Sequence, residues 1–212
     1  MSVKSIVIVF ITLLSFSQCD GEGNHVKIIP AGTKIKKSQL NLPDYIMLNH
    51  LAKISYKKNS FILHGKFSKS KNDFELKAFG DFDMLLFSIK YKDSLLSSRI
   101  HFDPLKEKNF NATHVGEDLW RIYFANSNTA LKLFGINNKA FTESKIRLIY
   151  DRDNFLRKKL FYHNGKLIYK VIYKDYRKYY DIILPRIINC EHLVYKYKLK
   201  IITLTVNMAA NK

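Results

Sequence analysis

Cysteine is scarce in this chain: 212 residues hold only two, Cys19 and Cys190. Two thiols make no disulfide framework, and no C-x-x-C or Cys/His spacing suits a metal. Glycine and proline are few as well, at 8 and 4, and no glycine-rich loop could cradle a phosphate. A G-x-S-x-G elbow and an H-E-x-x-H helix are both missing. The histidines are scattered, and His101-x-Asp103, the nearest approach to a ligand pair, reads more simply as a strand-end surface histidine. Glu117 and Asp118 read as caps at the positive end of a helix, and Asp151 and Asp153 as turn residues. No catalytic residue, metal or cofactor is expected, and the chain reads as non-enzymatic. Acidic residues number 18 against 36 basic ones, a net charge of +18. Such a charge attracts phosphates of any kind, on nucleic acid or on lipid head groups. A/T-rich coding, which favours Lys, Ile, Asn, Tyr and Phe over Gly, Pro and Ala, would produce it equally.

Long apolar runs are missing too, since a membrane span needs roughly 20 residues. The one notable run is short and stands at the start. Lys4 supplies a positive charge, residues 5–14 are mostly apolar, and Ser15-Phe16-Ser17-Gln18-Cys19 closes the segment. This order is that of an export signal. Export demotes nucleic acid, and none is expected as a partner. Two cleavage points compete. Cutting before Cys19 makes it the lipid-modified first residue and leaves Cys190 a lone thiol. Cutting after Ser17 keeps both thiols, which could then pair. Ser17 fits lipoprotein processing, whereas Phe16 and Gln18 depart from the Leu and the small residue that it prefers. The lipoprotein reading is favoured because the cysteine stands where the apolar run stops.

The remainder is 47% hydrophobic and 14% aromatic over the whole chain, a packed globular composition. Residues 1–18 read as the signal, 19–40 as a tether, 41–206 as one domain and 207–212 as a tail. Residues 42–53 suggest a short helix, with Tyr45, Leu48 and Leu51 three apart. From residue 60 the period is two. Phe61, Leu63, Gly65 and Phe67 form one such run, and Phe74, Leu76 and Ala78 a second. Leu85, Phe87, Ile89 and Tyr91 form a third, and Ser98, Ile100 and Phe102 a fourth. They describe an antiparallel meander with one wet and one apolar face. Residues 115–134, with Leu119, Ile122 and Tyr123, suit one or two amphipathic helices ending near Gly135.

Strands then resume. Asn164-Gly165 between two alternating runs is a strong hairpin signal. Residues 179–184 continue the sheet, and Pro185 should sit at a strand end or edge. Tyr195, Tyr197, Leu199 and Ile201 alternate with Lys196, Lys198 and Lys200 in a final strand. The expected fold is mainly β with inserted helices, a curved antiparallel sheet or unclosed barrel lidded by those helices. Its inward face is apolar and aromatic. That face is either a packed core or the wall of a cavity, and periodicity does not separate the two. The lysine ladders on the outer face are either solvated edges or a surface for anionic head groups.

The stretch Leu63-x-Gly65-x-Phe67 resembles the opening strand of the LolA/LolB lipoprotein-carrier superfamily. Leu184-Pro185-Arg186-Ile187-Ile188, followed by the alternation from Tyr195, is similar to its closing strands. The segment around Asn164-Gly165 looks closer still to a LolB-related group of bacterial lipoproteins. The resemblance spans roughly residues 45–205. It implies an unclosed, helix-lidded β-barrel that takes the acyl chains of lipoproteins or lipids; a monomer is expected. Phe61, Leu63, Phe67, Phe74, Leu76, Phe87, Ile89, Leu119, Ile122, Tyr197 and Leu199 would line its cavity. A protruding loop passes lipoproteins into the outer membrane in LolB, and the turn after Gly80, with Phe82, Met84 and Leu85, would stand in its place. It also implies a cell-envelope protein held to a membrane surface through lipid on Cys19. Asp20 follows that cysteine, where Asp retains enteric lipoproteins in the inner membrane, so either membrane is open.

Overall fold

The computed structural model describes residues 27–28, 40, 42–57, 59–107, 110–125 and 144–208. The leader, Cys19 and the later part of the expected helical insertion, through Gly135, lie outside the described residues. Two antiparallel meanders make the sheet. The first runs β2 (Tyr45–Tyr56), β3 (Asn59–Ser70), β4 (Asp73–Phe79), β5 (Leu85–Lys92) and β6 (Leu95–Ile100). The second runs β7 (Ser144–Tyr150), β8 (Leu156–His163), β9 (Lys166–Tyr179), β10 (Ile182–His192) and β11 (Tyr197–Met208). β2 and β11 pair along their length and join the two, giving the order β6-β5-β4-β3-β2-β11-β10-β9-β8-β7. The sheet does not close. Within the stretch read as a tether, β1 (Lys27–Ile28) pairs with the end of β9. Helices α1 (Asp103–Glu107) and α2 (Ala112–Tyr123) lie between the meanders in sequence, and α2 packs on β5 and β6.

The first meander stands where its alternation puts it. Leu63, Gly65 and Phe67 are buried on β3, Phe74, Leu76 and Ala78 on β4, Phe87 and Ile89 on β5. The Asn164-Gly165 hairpin is present, both residues at positive φ of 47° and 71°. That pair of angles gives a two-residue turn the twist of its strands.

Four local expectations are corrected. Residues 42–53 form no helix; β2 runs through them, with Ile46, Leu48, His50, Ala52 and Ile54 inward. A strand with registered partners on both sides satisfies its backbone along its whole length. A short isolated helix could not. Residues 179–184 are interrupted by a hairpin turn at Tyr180 and Asp181, Tyr180 having φ 53°. Tyr195 is outside the last strand, in the turn 193–196, where its N–H donates to His192 Nδ1 at 3.1 Å. Lys196 shares that turn at φ 56° and leaves the lysine ladder. Pro185 is fourth in β10, yet it pairs only with β9, because pairing with β11 starts at Ile187. Its missing N–H therefore faces no neighbouring strand.

α2 starts at Asn111, whose side chain accepts from the Thr113 N–H at 3.0 Å. Gly116 lets the helix approach the sheet. A Cβ there would come within 2.8 Å of Ile89 Cγ2 and 2.9 Å of a Leu96 methyl. Gly116→Val is therefore expected to cost about 2 kcal/mol by overpacking. A fall of about 6 °C in the melting midpoint would report it.

Candidate functional site

The seat of α2 is charged, which an apolar half-barrel does not lead one to expect. Arg121 donates to Asp118 at 3.0 Å and to Glu117 at 3.2 Å, and all three side chains are buried. Glu117 and Asp118 therefore lie in the middle of the helix, not at its start, and the capping expectation is corrected. The i,i+3 and i,i+4 spacing puts the charges on one face, and that face turns inward. Tyr197 donates its hydroxyl to the second Asp118 oxygen, and Arg121 lies over the Tyr169 ring. Burial pushes the Asp118 carboxyl up to about 6, against the pull of Arg121.

The other end of α2 is held by strands. Lys159 Nζ donates to the carbonyls of Ala125 at 2.7 Å, Ile122 at 2.8 Å and Arg121 at 3.3 Å. Tyr173 adds a hydroxyl to the Ile122 carbonyl at 2.8 Å. A cation on the last carbonyls complements the helix dipole, although burial draws the Lys159 ammonium down to about 7. His50, wholly inside, contacts the Tyr123 hydroxyl at 3.3 Å, and burial lowers it to about 3. Cys190 is buried nearby, and desolvation raises its thiol well above the usual range, which makes it inert as a nucleophile.

Beside this cluster a groove of about 830 Å³ opens between the helices and the ends of β2, β3 and β11. Its deeper lining is Ile54, Leu105, Phe110, Val115 and Tyr197, and its exposed lining includes Phe61, Val194, Lys57, Asn59, Asn111 and Lys196. One wall is a stack of rings. His114 lies 4.8 Å from Tyr195, Tyr195 4.3 Å from His192, and His192 5.4 Å from Tyr197. Tyr197 is the link, with its ring in the groove and its hydroxyl on Asp118. Glu117, Asp118 and Arg121 engage one another and do not line the groove. The groove thus offers apolar surface and a polar rim, with His114, whose Nδ1 lies 3.6 Å from a Glu117 oxygen, on one wall. Its size lies within the roughly 300–1,000 Å³ of small-molecule sites.

Of the residues expected to line a cavity, Phe61 and Tyr197 are at this groove. Leu63, Phe67, Phe74, Leu76, Phe87, Ile89, Leu119, Ile122 and Leu199 are buried in the core that α2 and the sheet share. The rings of Tyr123, Phe67, Phe74 and Phe124 meet in that order across that interface, with centroids 5.0–5.6 Å apart. His101 is exposed at the end of β6, with a ring nitrogen 3.0 Å from the Ser88 hydroxyl. Asp151 accepts from the N–H groups of Asp153 and Phe155, a local turn. Sequence reasoning missed Arg121, Lys159, His50 and His192. The i,i+3/i,i+4 charge spacing was visible, but nothing in it told that the face was buried.

Mainly β, unclosed and seated on helices, the chain has a LolA/LolB-like fold. A LolA superfamily protein from Nitrosomonas europaea superposes with a TM-score of 0.53 at 14% identity, over 82% of this chain and 90% of that one. A putative outer membrane lipoprotein-sorting protein domain from Vibrio parahaemolyticus gives 0.43 at 8% identity, over 83% and 88%. A DUF1329 family protein from Desulfovibrio piger gives 0.44 at 11% identity, over 82% and 89%. No protein-family model matches the sequence, and no curated protein is similar to it.

Proposed function

We propose that this chain is a non-enzymatic bacterial envelope lipoprotein that holds an acyl chain of a lipoprotein or lipid. The observation that carries the reading is the groove, where Ile54, Phe61, Leu105, Phe110 and Val115 offer an apolar bed. Lys57 and Lys196 on its exposed lining suit an anionic head group. The LolA/LolB-like fold and the export signal support the same reading. Cys19 would be the lipid anchor, facing the periplasm from the outer or inner membrane. Phe82, fully exposed at φ 58° in the turn between β4 and β5, would then be an apolar tip for delivery to a membrane.

Filling the groove tests the idea. Val115→Trp is expected to weaken binding of a fluorescent fatty-acyl probe at least about tenfold, worth about 1.4 kcal/mol, while the melting midpoint holds. Equal affinity of the variant and the parent would overturn the groove as the site.

A second reading, a structural or adaptor lipoprotein that binds another protein, is favoured by the packed interior. It expects no acyl probe to bind at all. Substitutions at Phe87 or Ile89 would then only destabilise, whereas carriage through the interior would let conservative size changes alter uptake.

A further inference from the structure

We infer that the outer face of the sheet docks on an anionic bilayer, with lipid phosphate seated between Lys53 and Lys200. The register fixes this face row by row. One row runs Lys158, Ile172, Asn189, Lys200, Lys53, Ile62 across six neighbouring strands. The next runs Leu160, Lys170, Glu191, Lys198, Ser55. A third is apolar for most of its length: Lys174, Ile187, Ile202, Leu51. At roughly 4.8 Å per strand the first row is about 24 Å wide.

Lys200 and Lys53 stand directly opposite each other, an arrangement that repels and destabilises a sheet. The acid nearest to them is engaged elsewhere, since Glu191 pairs with Lys170 at 2.5 Å and Lys198 at 3.6 Å. Neither Lys53 nor Lys200 has an acidic partner among the described residues. Both line a shallow depression of about 400 Å³, together with Ser55, Asn189, Lys170, Lys198 and the carboxylate of Glu191, which the last two lysines neutralise. Ammonium groups, a hydroxyl and an amide converging there are donors for a phosphate oxygen. A point anion would need only this depression. The interleaved Ile62, Ile172, Ile187 and Ile202, with Ile62 63% exposed, instead make a surface both basic and apolar, as the head-group layer of a bilayer requires. This surface shares no lining residue with the acyl groove, and the inference stands whether or not the groove is filled.

The test uses the full chain as its Cys19→Ser variant, so that no acyl anchor contributes. Binding is compared on vesicles of phosphatidylcholine and of phosphatidylcholine mixed with phosphatidylglycerol. The neutral vesicles report what the apolar leader contributes by itself. Tighter binding to the anionic vesicles is expected, and the gap should shrink about 25-fold in Lys53→Gln/Lys200→Gln, at about fivefold per lysine. Lys53→Arg/Lys200→Arg should keep the gap and melt like the parent, and the Gln pair, relieved of the repulsion, should melt no lower. A gap unmoved by the Gln pair overturns the inference. So does release by inorganic phosphate at constant ionic strength, which would mark a free-anion site. Tighter binding of a single-stranded oligonucleotide, with the same dependence on the two lysines, overturns it as well.

Discussion

Arg121→Met is expected to destabilise the protein by about 3–5 kcal/mol and to lower its melting midpoint by about 10 °C. The arginine is 5% exposed and is the partner of two carboxylates that are as deeply buried. Methionine fills much of the volume, so the loss is electrostatic: Asp118 and Glu117 would face each other unpaired. Removing the carboxylates as well should restore most of the stability. Glu117→Gln/Asp118→Asn/Arg121→Met is expected within about 1–2 kcal/mol of the parent, because a whole buried ion cluster adds little over a neutral replacement. The deficit of the single variant should also shrink below pH 6. Asp118 already titrates at about 6 in the folded state, above its ordinary 3.8, so protonation there favours the folded chain. Urea unfolding at two pH values measures both effects. A single variant within about 1 kcal/mol of the parent would mean that the cluster is hydrated.

How much of this was legible follows from what period carries. Alternation at Phe61–Phe67 and Phe74–Ala78 assigned strands and their inward faces, because successive strand residues point to opposite sides. Asn164-Gly165 fixed a hairpin through backbone angles that few other pairs adopt. β2 escaped because His50 interrupts its inward row of Ile46, Leu48, Ala52 and Ile54. The three-residue spacing of Tyr45, Leu48 and Leu51 then looked helical. Lys159 escaped for a related reason. It stands in Arg157-Lys158-Lys159, which reads as surface, and only the register sends Lys158 out and Lys159 in. Whether the inward residues line a cavity or a core depends on where α2 sits. Its closeness rests on one residue, Gly116 against Ile89. The groove lies beyond the reach of periodicity altogether, because turn residues 193–196 and the helix start at Asn111 bring its walls together.

Acid should weaken the fold below pH 6.5, and two histidines set the window. Burial lowers His50 and His192 to about 3 from 6.5. Between those values the unfolded chain binds more protons, so stability falls as pH falls. At pH 4.5 the enclosed His50 takes about 3 kcal/mol and His192, at the groove wall, about 2, while Asp118, whose shift has the opposite sign, returns about 2. A net loss of about 3 kcal/mol relative to pH 7 is expected in urea titrations. Lys159 contributes only on the alkaline side: lowered to about 7 from 10.5, it lets stability rise with pH across that interval. His50→Gln and His192→Gln should remove about 3 and about 2 kcal/mol of the acid dependence respectively, and unchanged curves in both would refute the assignment. The two histidines differ in where the loss appears. His50 is enclosed between Tyr123 and Thr203, whereas His192 accepts from Tyr195 and stacks on Tyr197 at the groove wall. Protonating His192 ends that acceptance and loosens the wall. Acyl-probe affinity should therefore fall with acid in the parent and in His50→Gln, but stay level in His192→Gln until the fold itself gives way.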